Sequence, residues 1–181
     1  MKIGVLALQG DFAAHARALA RAGCDAFAAR TSGELACADA LVLPGGESTA
    51  MLRGIARDGL ALALRAHVAA GRPVLGTCAG AILLSLGALD VSVERNAYGT
   101  QVDSFVCRAE VGDPASEFAG LECVLIRAPR ITRVGPGVTV HARVKGDPAL
   151  VSAGPLWAAT FHPELSDDPR VYRAWLRSAS G

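Results

Sequence analysis

The sequence predicts a three-layer α/β domain spanning residues 1–181, with a mixed, mostly parallel sheet flanked by helices. Three observations carry this expectation. In the first half, the strand-like runs Ile3–Leu8 and Ala40–Leu43 are apolar throughout instead of alternating, which suits a sheet covered on both faces. Each leads through a turn into a segment of helical periodicity, the pattern of βαβ units. From Leu89 onward the texture changes to short, partly alternating runs broken by Gly- and Pro-rich turns, which suits antiparallel or edge strands.

Taken in order, Ile3–Leu8 is the first central strand and stops at Gln9-Gly10. Asp11 caps a helix over Phe12–Ala22, with Phe12, Ala16, Leu19 and Ala20 as its apolar stripe and Gly23 at its end. Cys24–Ala29 is a second strand, followed by an irregular connection through Ser32-Gly33-Glu34. Ala40–Leu43 runs into Pro44-Gly45-Gly46-Glu47-Ser48-Thr49 and a helix over Ser48–Arg57. Asp58 is placed to cap the next helix, Gly59–Ala70. After Gly71-Arg72-Pro73, a short apolar strand turns at Cys78 into a helical segment that ends near Leu86-Gly87. Leu89–Glu94, Gln101–Arg108, Leu121–Ile126, Ile131–Val134 and Val138–Val144 are the short strands, and Lys145-Gly146-Asp147-Pro148 is read as a turn. Leu156–Phe161 is the last strand. Asp168–Ser178 closes the chain as a helix with Val171, Trp175 and Leu176 inward.

Composition narrows the function. With 18 basic and 17 acidic residues, a net charge of +1 and no dense basic run, no nucleic-acid partner is expected. The five cysteines, Cys24, Cys37, Cys78, Cys107 and Cys123, are widely spaced, odd in number and lack a C-x-x-C pair. That argues against a disulfide scaffold and a cysteine zinc site, and for a reducing cytoplasmic setting. The first apolar run is too short for a signal peptide, and no apolar window is long enough to span a membrane. His15 reads as a helix residue facing polar neighbours, His67 as solvated and His141 as outward-facing. None has a partner at metal spacing, so no metal site is expected.

Three segments sit at the C-terminal ends of predicted strands, the edge of an open α/β sheet where ligands bind: the Pro44–Thr49 loop, the Cys78 turn and His162-Pro163-Glu164. At the bend Cys78 faces the free amides of the following helix, which favour a thiolate, and Gly76 and Gly80 leave room for the bend and for a substrate. On this stretch alone, a nucleophile and a buried core cysteine both remain open. A cysteine nucleophile needs a base and a group to orient it. His162 and Glu164 supply both, since residues two apart on an extended segment project to one side. His162 read alone is equally a cap or surface residue. The glycine-rich loop has no lysine after it, so it is not a phosphate loop. Its Gly46 amide, together with that of Ala79 after the nucleophile, can serve as an oxyanion hole, and a simple turn is the other reading.

These residues, with Ile3–Asp11, Leu43–Thr49, Gly76-Thr77-Cys78-Ala79-Gly80, Val93-Glu94-Arg95-Asn96, Gln101-Val102-Asp103-Ser104-Phe105, Ile126-Arg127-Ala128-Pro129 and Phe161–Leu165, closely resemble the glutaminase subunits of pyridoxal 5'-phosphate synthases. Those are class I, triad-type glutamine amidotransferases with a flavodoxin-like fold. The resemblance implies hydrolysis of L-glutamine to L-glutamate and ammonia, with Cys78 as nucleophile, His162 as base and Glu164 as its orienting acid. It implies glutamine binding by Gly46, Glu47, Ser48, Arg95, Ile126 and Arg127. It further implies delivery of ammonia to a synthase subunit with a (β/α)8 barrel fold in a large hetero-oligomer, docked near Gln9–His15, with no cofactor needed for the amide hydrolysis. One departure from the family is a shorter helix after Cys78. The alternatives are a glutaminase serving another amination pathway and a non-catalytic binding module of the same fold.

Overall fold

The computed structural model describes residues 1–95, 97 and 104–178; Asn96 and Gln101–Asp103 of the motifs above, including the start of one predicted strand, lie outside the described residues. The centre is a seven-stranded sheet. Its parallel part runs, in spatial order, β2 (Ala26–Ala29), β1 (Ile3–Leu6), β3 (Ala40–Leu43), β4 (Val74–Thr77) and β11 (Leu156–Ala159). Two antiparallel strands, β10 (Asp147–Ala153) and β9 (Thr139–Val144), extend one edge. Two ribbons complete the strands: β5 (Val91–Glu94) with β8 (Arg130–Val134), and β6 (Phe105–Arg108) with β7 (Glu122–Leu125). The all-apolar reading of β1, β3 and β4 matches complete burial along each strand.

Helices cover both faces. On one side, α1 (Phe12–Arg21) and α6 (Arg170–Ser178) pack Leu19, Val171, Tyr172 and Trp175 against Ile3, Val5 and Trp157. On the other, α3 (Ser48–Ile55), α4 (Leu60–Ala69) and α5 (Ala79–Ser85) pack Met51, Ile55, Leu60 and Leu84 against Leu41, Leu43 and Val74. Asp11 caps α1 as its position predicts, accepting a bond from the Ala14 N–H at 2.9 Å. The stripe on α1 is rotated from the predicted one: Ala14, His15, Ala18 and Leu19 are the buried residues. On α6, Val171 and Trp175 are buried as predicted, joined by Tyr172, while Leu176 is only partly covered. No helix among the described residues is long and apolar enough to cross a membrane.

Several local expectations are corrected. The connection through Ser32-Gly33-Glu34 is a short helix, α2 (Ser32–Ala36), nucleated by a capping box in which Thr31 and Glu34 bond each other's backbone. Asp58 does not cap α4: it sits at φ +53°, and Gly59 at φ +72° occupies the cap with no side-chain bond. Lys145-Gly146-Asp147-Pro148 is not all turn. Lys145 and Gly146, both at positive φ, form a two-residue hairpin, and Asp147 already begins β10. Pro148 is tolerated because the register shifts just after it, where a ladder N–H is not required. His67 is buried, with Nε2 3.3 Å from the Pro73 carbonyl. His141 is half-buried, stacked on Trp157 at 4.5 Å between centroids, with Nε2 2.7 Å from the Ser152 hydroxyl.

The pairing that matters for the site is β4 with β11. They run parallel with Thr77 opposite Ala159, so both chains leave the sheet at the same level and the same end. Cys78 is one residue beyond that level and His162 three.

Candidate active site

Cys78 stands at the β4–α5 bend with φ +48° and ψ −104°, a conformation that a non-glycine residue adopts at a cost of about 1–3 kcal/mol. Backbone bonds on both sides hold it there. Its N–H donates to the Ala159 carbonyl at 2.8 Å, and its carbonyl accepts from Ala81 N–H at 3.1 Å. The bend also needs the glycines beside it, though for a reason other than substrate access. A β-carbon on Gly80 would lie 1.9 Å from the Leu43 carbonyl oxygen, and one on Gly76 would lie 2.5 Å from the Gly80 carbonyl oxygen. Strand and helix are in backbone contact, and the freed space goes to packing.

His162 is fixed by its own N–H, which donates to the Val124 carbonyl of β7 at 2.8 Å. It caps a 3-10 turn, Pro163–Leu165, so the premise of an extended His162-Pro163-Glu164 segment is incorrect. The proline-initiated turn still carries Glu164 to the ring: Nδ1 and Oε1 are 2.7 Å apart, with side-chain exposures of 12% and 4%. Cys78 lies on the same cavity wall, and both it and the ring abut Gly45. Burial by itself would hold His162 neutral, but the Cys78 side chain and the Glu164 carboxylate outweigh it and raise the pKa to about 10. Burial would likewise push the Glu164 carboxyl up. The His162 hydrogen bond, with the neighbouring His15 and His162 rings, instead holds it below its usual range.

In front of the Cys78–His162 pair lies a cavity of about 300 Å³. Gly46, Glu47, Ser48, Cys78, Ala79, Arg95, Ile126, Arg127 and His162 all line it, as do Thr49, Ile82 and Pro129, which sequence reading did not single out. Glu164 stands behind the ring, away from the cavity wall. The Glu47 carboxylate is engaged as the cap of α3, accepting from Thr49 N–H at 2.8 Å and Ala50 N–H at 2.7 Å, which holds it below the ordinary carboxylate range. Arg127 takes the left-handed region at φ +45°, a strained backbone at the cavity edge. The positive side chains on the wall, Arg95 and Arg127, make the cavity suited to a carboxylate-bearing ligand.

Gly45 and His15 were not among the predicted site residues. A β-carbon on Gly45 would stand 2.5 Å from Cε1 of His162 and 3.3 Å from Cβ of Cys78, so this glycine lets the ring lie over the loop. The Gly-Gly pair was visible in the sequence, but which of the two abuts the imidazole was not. His15, expected among polar neighbours, is completely buried. Its Nδ1 is 2.9 Å from the Tyr172 hydroxyl and its Nε2 3.5 Å from Glu164 Oε1. No local pattern in α1 announces that contact.

A doubly covered, mostly parallel sheet with cysteine at a strand–helix bend, a His–Glu pair after the neighbouring strand and a cation-lined cavity between them defines the class I, triad-type amidotransferases. The model of the SNO glutamine amidotransferase family matches residues 5–180, and the chain belongs to that family. It is 47% identical over 187 residues to the pyridoxal 5'-phosphate synthase subunit PdxT of Koribacter versatilis (strain Ellin345), covering 98% of this chain and 95% of that one. It is 48% identical over 189 residues to the subunit of the same name from Frankia casuarinae, covering 98% and 94%. A crystal structure of a glutamine amidotransferase superimposes with a TM-score of 0.90 at 42% identity over 99% of both chains. A putative GMP synthase protein from Thermoplasma acidophilum shares the fold, with a TM-score of 0.75 at 21% identity over 99% of this chain and 94% of that one.

Proposed function

We propose that this chain hydrolyses the side-chain amide of L-glutamine and passes the ammonia to a pyridoxal 5'-phosphate synthase subunit. With the Cys78 proton held by His162, the sulfur attacks the amide carbon, and the His162 imidazolium then protonates the departing ammonia. Water, activated by the same imidazole, cleaves the glutamyl thioester and restores the thiol. Glu164 keeps the ring's Nδ1–H engaged, so that Nε2 faces the sulfur. The backbone amides of Gly46 and Ala79 meet the oxyanion; Ala79 opens α5, where the N–H groups precede the helical ladder. Arg95 and Arg127 take the substrate's carboxylate, and Gly46, Glu47, Ser48 and Ile126 shape the remaining wall. Because its carboxylate is already a helix cap, Glu47 contributes backbone and position.

The observation that carries this reading is the convergence of Cys78, His162 and the two arginines on one cavity, with Glu164 at 2.7 Å behind the imidazole. The receiving partner is a (β/α)8 barrel subunit in a large hetero-oligomer, a reading supported by the resemblance in the motifs; the names of the relatives support a synthase subunit as the partner. A cytoplasmic setting agrees with five free cysteines. The test is an ammonia-release assay with and without the cognate synthase subunit. Turnover of glutamine that rises on adding the subunit, and that Cys78→Ala abolishes, supports the proposal. Residual turnover in Cys78→Ala refutes the nucleophile.

A further inference from the structure

We infer that His15 and Tyr172 are positioning residues for the Glu164 carboxylate, extending the Cys78–His162–Glu164 series by two buried groups supplied by α1 and α6. The inference rests on the catalytic reading above. His15 and Tyr172 are both wholly inaccessible to solvent, and they are brought together from opposite ends of the chain. Their rings meet edge to face, 6.3 Å between centroids. Packing alone would be served by any apolar pair, yet both groups are polar, and their polar atoms form a series from Tyr172 through His15 to Glu164.

The proton positions follow from burial. Tyr172 keeps its phenolic proton, because burial and the nearby Glu164 charge push its ionisation far upward, with Arg21 opposing only weakly. Glu164 only accepts, so the tautomer that satisfies both contacts carries its proton on Nε2, facing the carboxylate, and leaves Nδ1 to accept from the Tyr172 O–H. Burial also holds His15 neutral. Glu164 and Asp11 favour its charged form, His162 opposes it, and desolvation prevails. The one remaining ring proton therefore sits on Nε2, 3.5 Å from Glu164 Oε1. That oxygen is the same one that receives His162 Nδ1. Nε2 has no hydrogen-bond partner among the described residues.

A neutral donor here is chemically apt. A charged His15 would compete with His162 for the carboxylate, whereas a neutral N–H steadies the anion while leaving its charge for the imidazolium. The separation exceeds an ordinary hydrogen bond, as such contacts often do before substrate is bound, and tightens in the complex with substrate. Tyr172 acts one step further back: its O–H occupies Nδ1 and so holds the His15 ring with Nε2 toward Glu164.

The test is the pH profile of kcat/KM for glutamine, measured on the complex of the full chain with its synthase subunit. Four forms are compared: unsubstituted, His15→Leu, His15→Gln and Tyr172→Phe. His15→Leu is expected to lower kcat about tenfold with little change in KM, the effect of losing a hydrogen bond to a charged group. Both limbs move inward: the acid limb rises because Glu164 is more easily protonated, and the alkaline limb falls because the His162 imidazolium is less well held. His15→Gln, whose amide can donate to Glu164 and accept from Tyr172, restores most of the rate and the limbs. Tyr172→Phe, nearly isosteric, shifts both limbs the same way by a smaller amount and decides the matter if His15→Leu does not fold. Limbs unmoved in Tyr172→Phe and in folded His15→Leu, with only a lowered melting temperature, overturn the inference while leaving the triad intact. An unsubstituted complex that does not hydrolyse glutamine overturns the catalytic reading and this inference together.

Discussion

Gly45→Ala isolates the geometry of the catalytic pair. The added methyl carbon would stand 2.5 Å from Cε1 and 3.1 Å from Nδ1 of His162. Non-bonded carbons settle at about 3.5–4.0 Å, so the ring must retreat by roughly 1 Å or the loop must rise by as much. A side chain at the end of a flexible stem would simply swing away. His162 cannot, because Nδ1 is tied to Glu164 at 2.7 Å and its backbone N–H to Val124 at 2.8 Å. A displacement of ~1 Å between reacting groups costs on the order of 100-fold in rate. Gly45 has no positive φ, so alanine brings no backbone strain, and any fall in the melting temperature reports only the displacement of ring or loop. Single-turnover release of ammonia from glutamine in the complex with the synthase subunit measures the chemical step, and a thermal melt measures the fold. Activity near that of the unsubstituted protein would refute the claim that His162 works from the position seen here.

Other consequences follow from the same contacts. Because His162 is raised from 6.5 to about 10, its contribution to stability is full below pH 6.5 and is lost as pH rises toward 10. Glu164, held below its usual 4.5, contributes above that pH and loses its contribution in acid. Urea midpoints should therefore peak between these ranges, and Glu164→Gln should flatten both slopes; equal slopes in the two proteins would contradict the pairing. Gly80→Ala places a carbon 1.9 Å from a backbone oxygen that cannot rotate away, so α5 must separate from β3. A loss of ~2 kcal/mol or more in urea unfolding is expected, and an unchanged midpoint would be inconsistent with this packing. Arg95→Ala should raise KM for glutamine about tenfold, as loss of a charge-assisted hydrogen bond does, with kcat less affected. Unchanged saturation would remove Arg95 from substrate binding.

The sheet's centre was legible because burial on both faces leaves an uninterrupted apolar record, as in Ile3–Leu6, Ala40–Leu43 and Val74–Thr77. The site was legible for a related reason: parallel strands deliver their C-terminal ends to one edge, so Cys78 and His162 could be placed together without knowing a distance. What stayed hidden was set by contacts across the chain or by local breaker residues. The whole of β10, Asp147–Ala153, was absent from the sequence expectation, because the Lys145-Gly146-Asp147-Pro148 stretch reads as a turn, although a register shift accommodates Pro148. Asp58 looked like a cap, yet the left-handed Gly59 took that place. His15 looked like a helix residue among polar neighbours, because what covers it, Tyr172 and Glu164, comes from the other end of the chain. Helix periodicity alone rotated the α1 stripe by a residue, and that rotation decides whether His15 faces water or the triad carboxylate.

The central claim is that Cys78, held at a strained bend beside His162, is the atom that meets glutamine. Its most direct measurement is covalent labelling of the complex by a glutamine analogue carrying an electrophile, read by peptide mass spectrometry. Modification confined to Cys78, competed away by glutamine and lost in His162→Asn, is the predicted result. Label on Cys24, Cys37, Cys107 or Cys123 with Cys78 left bare would contradict it.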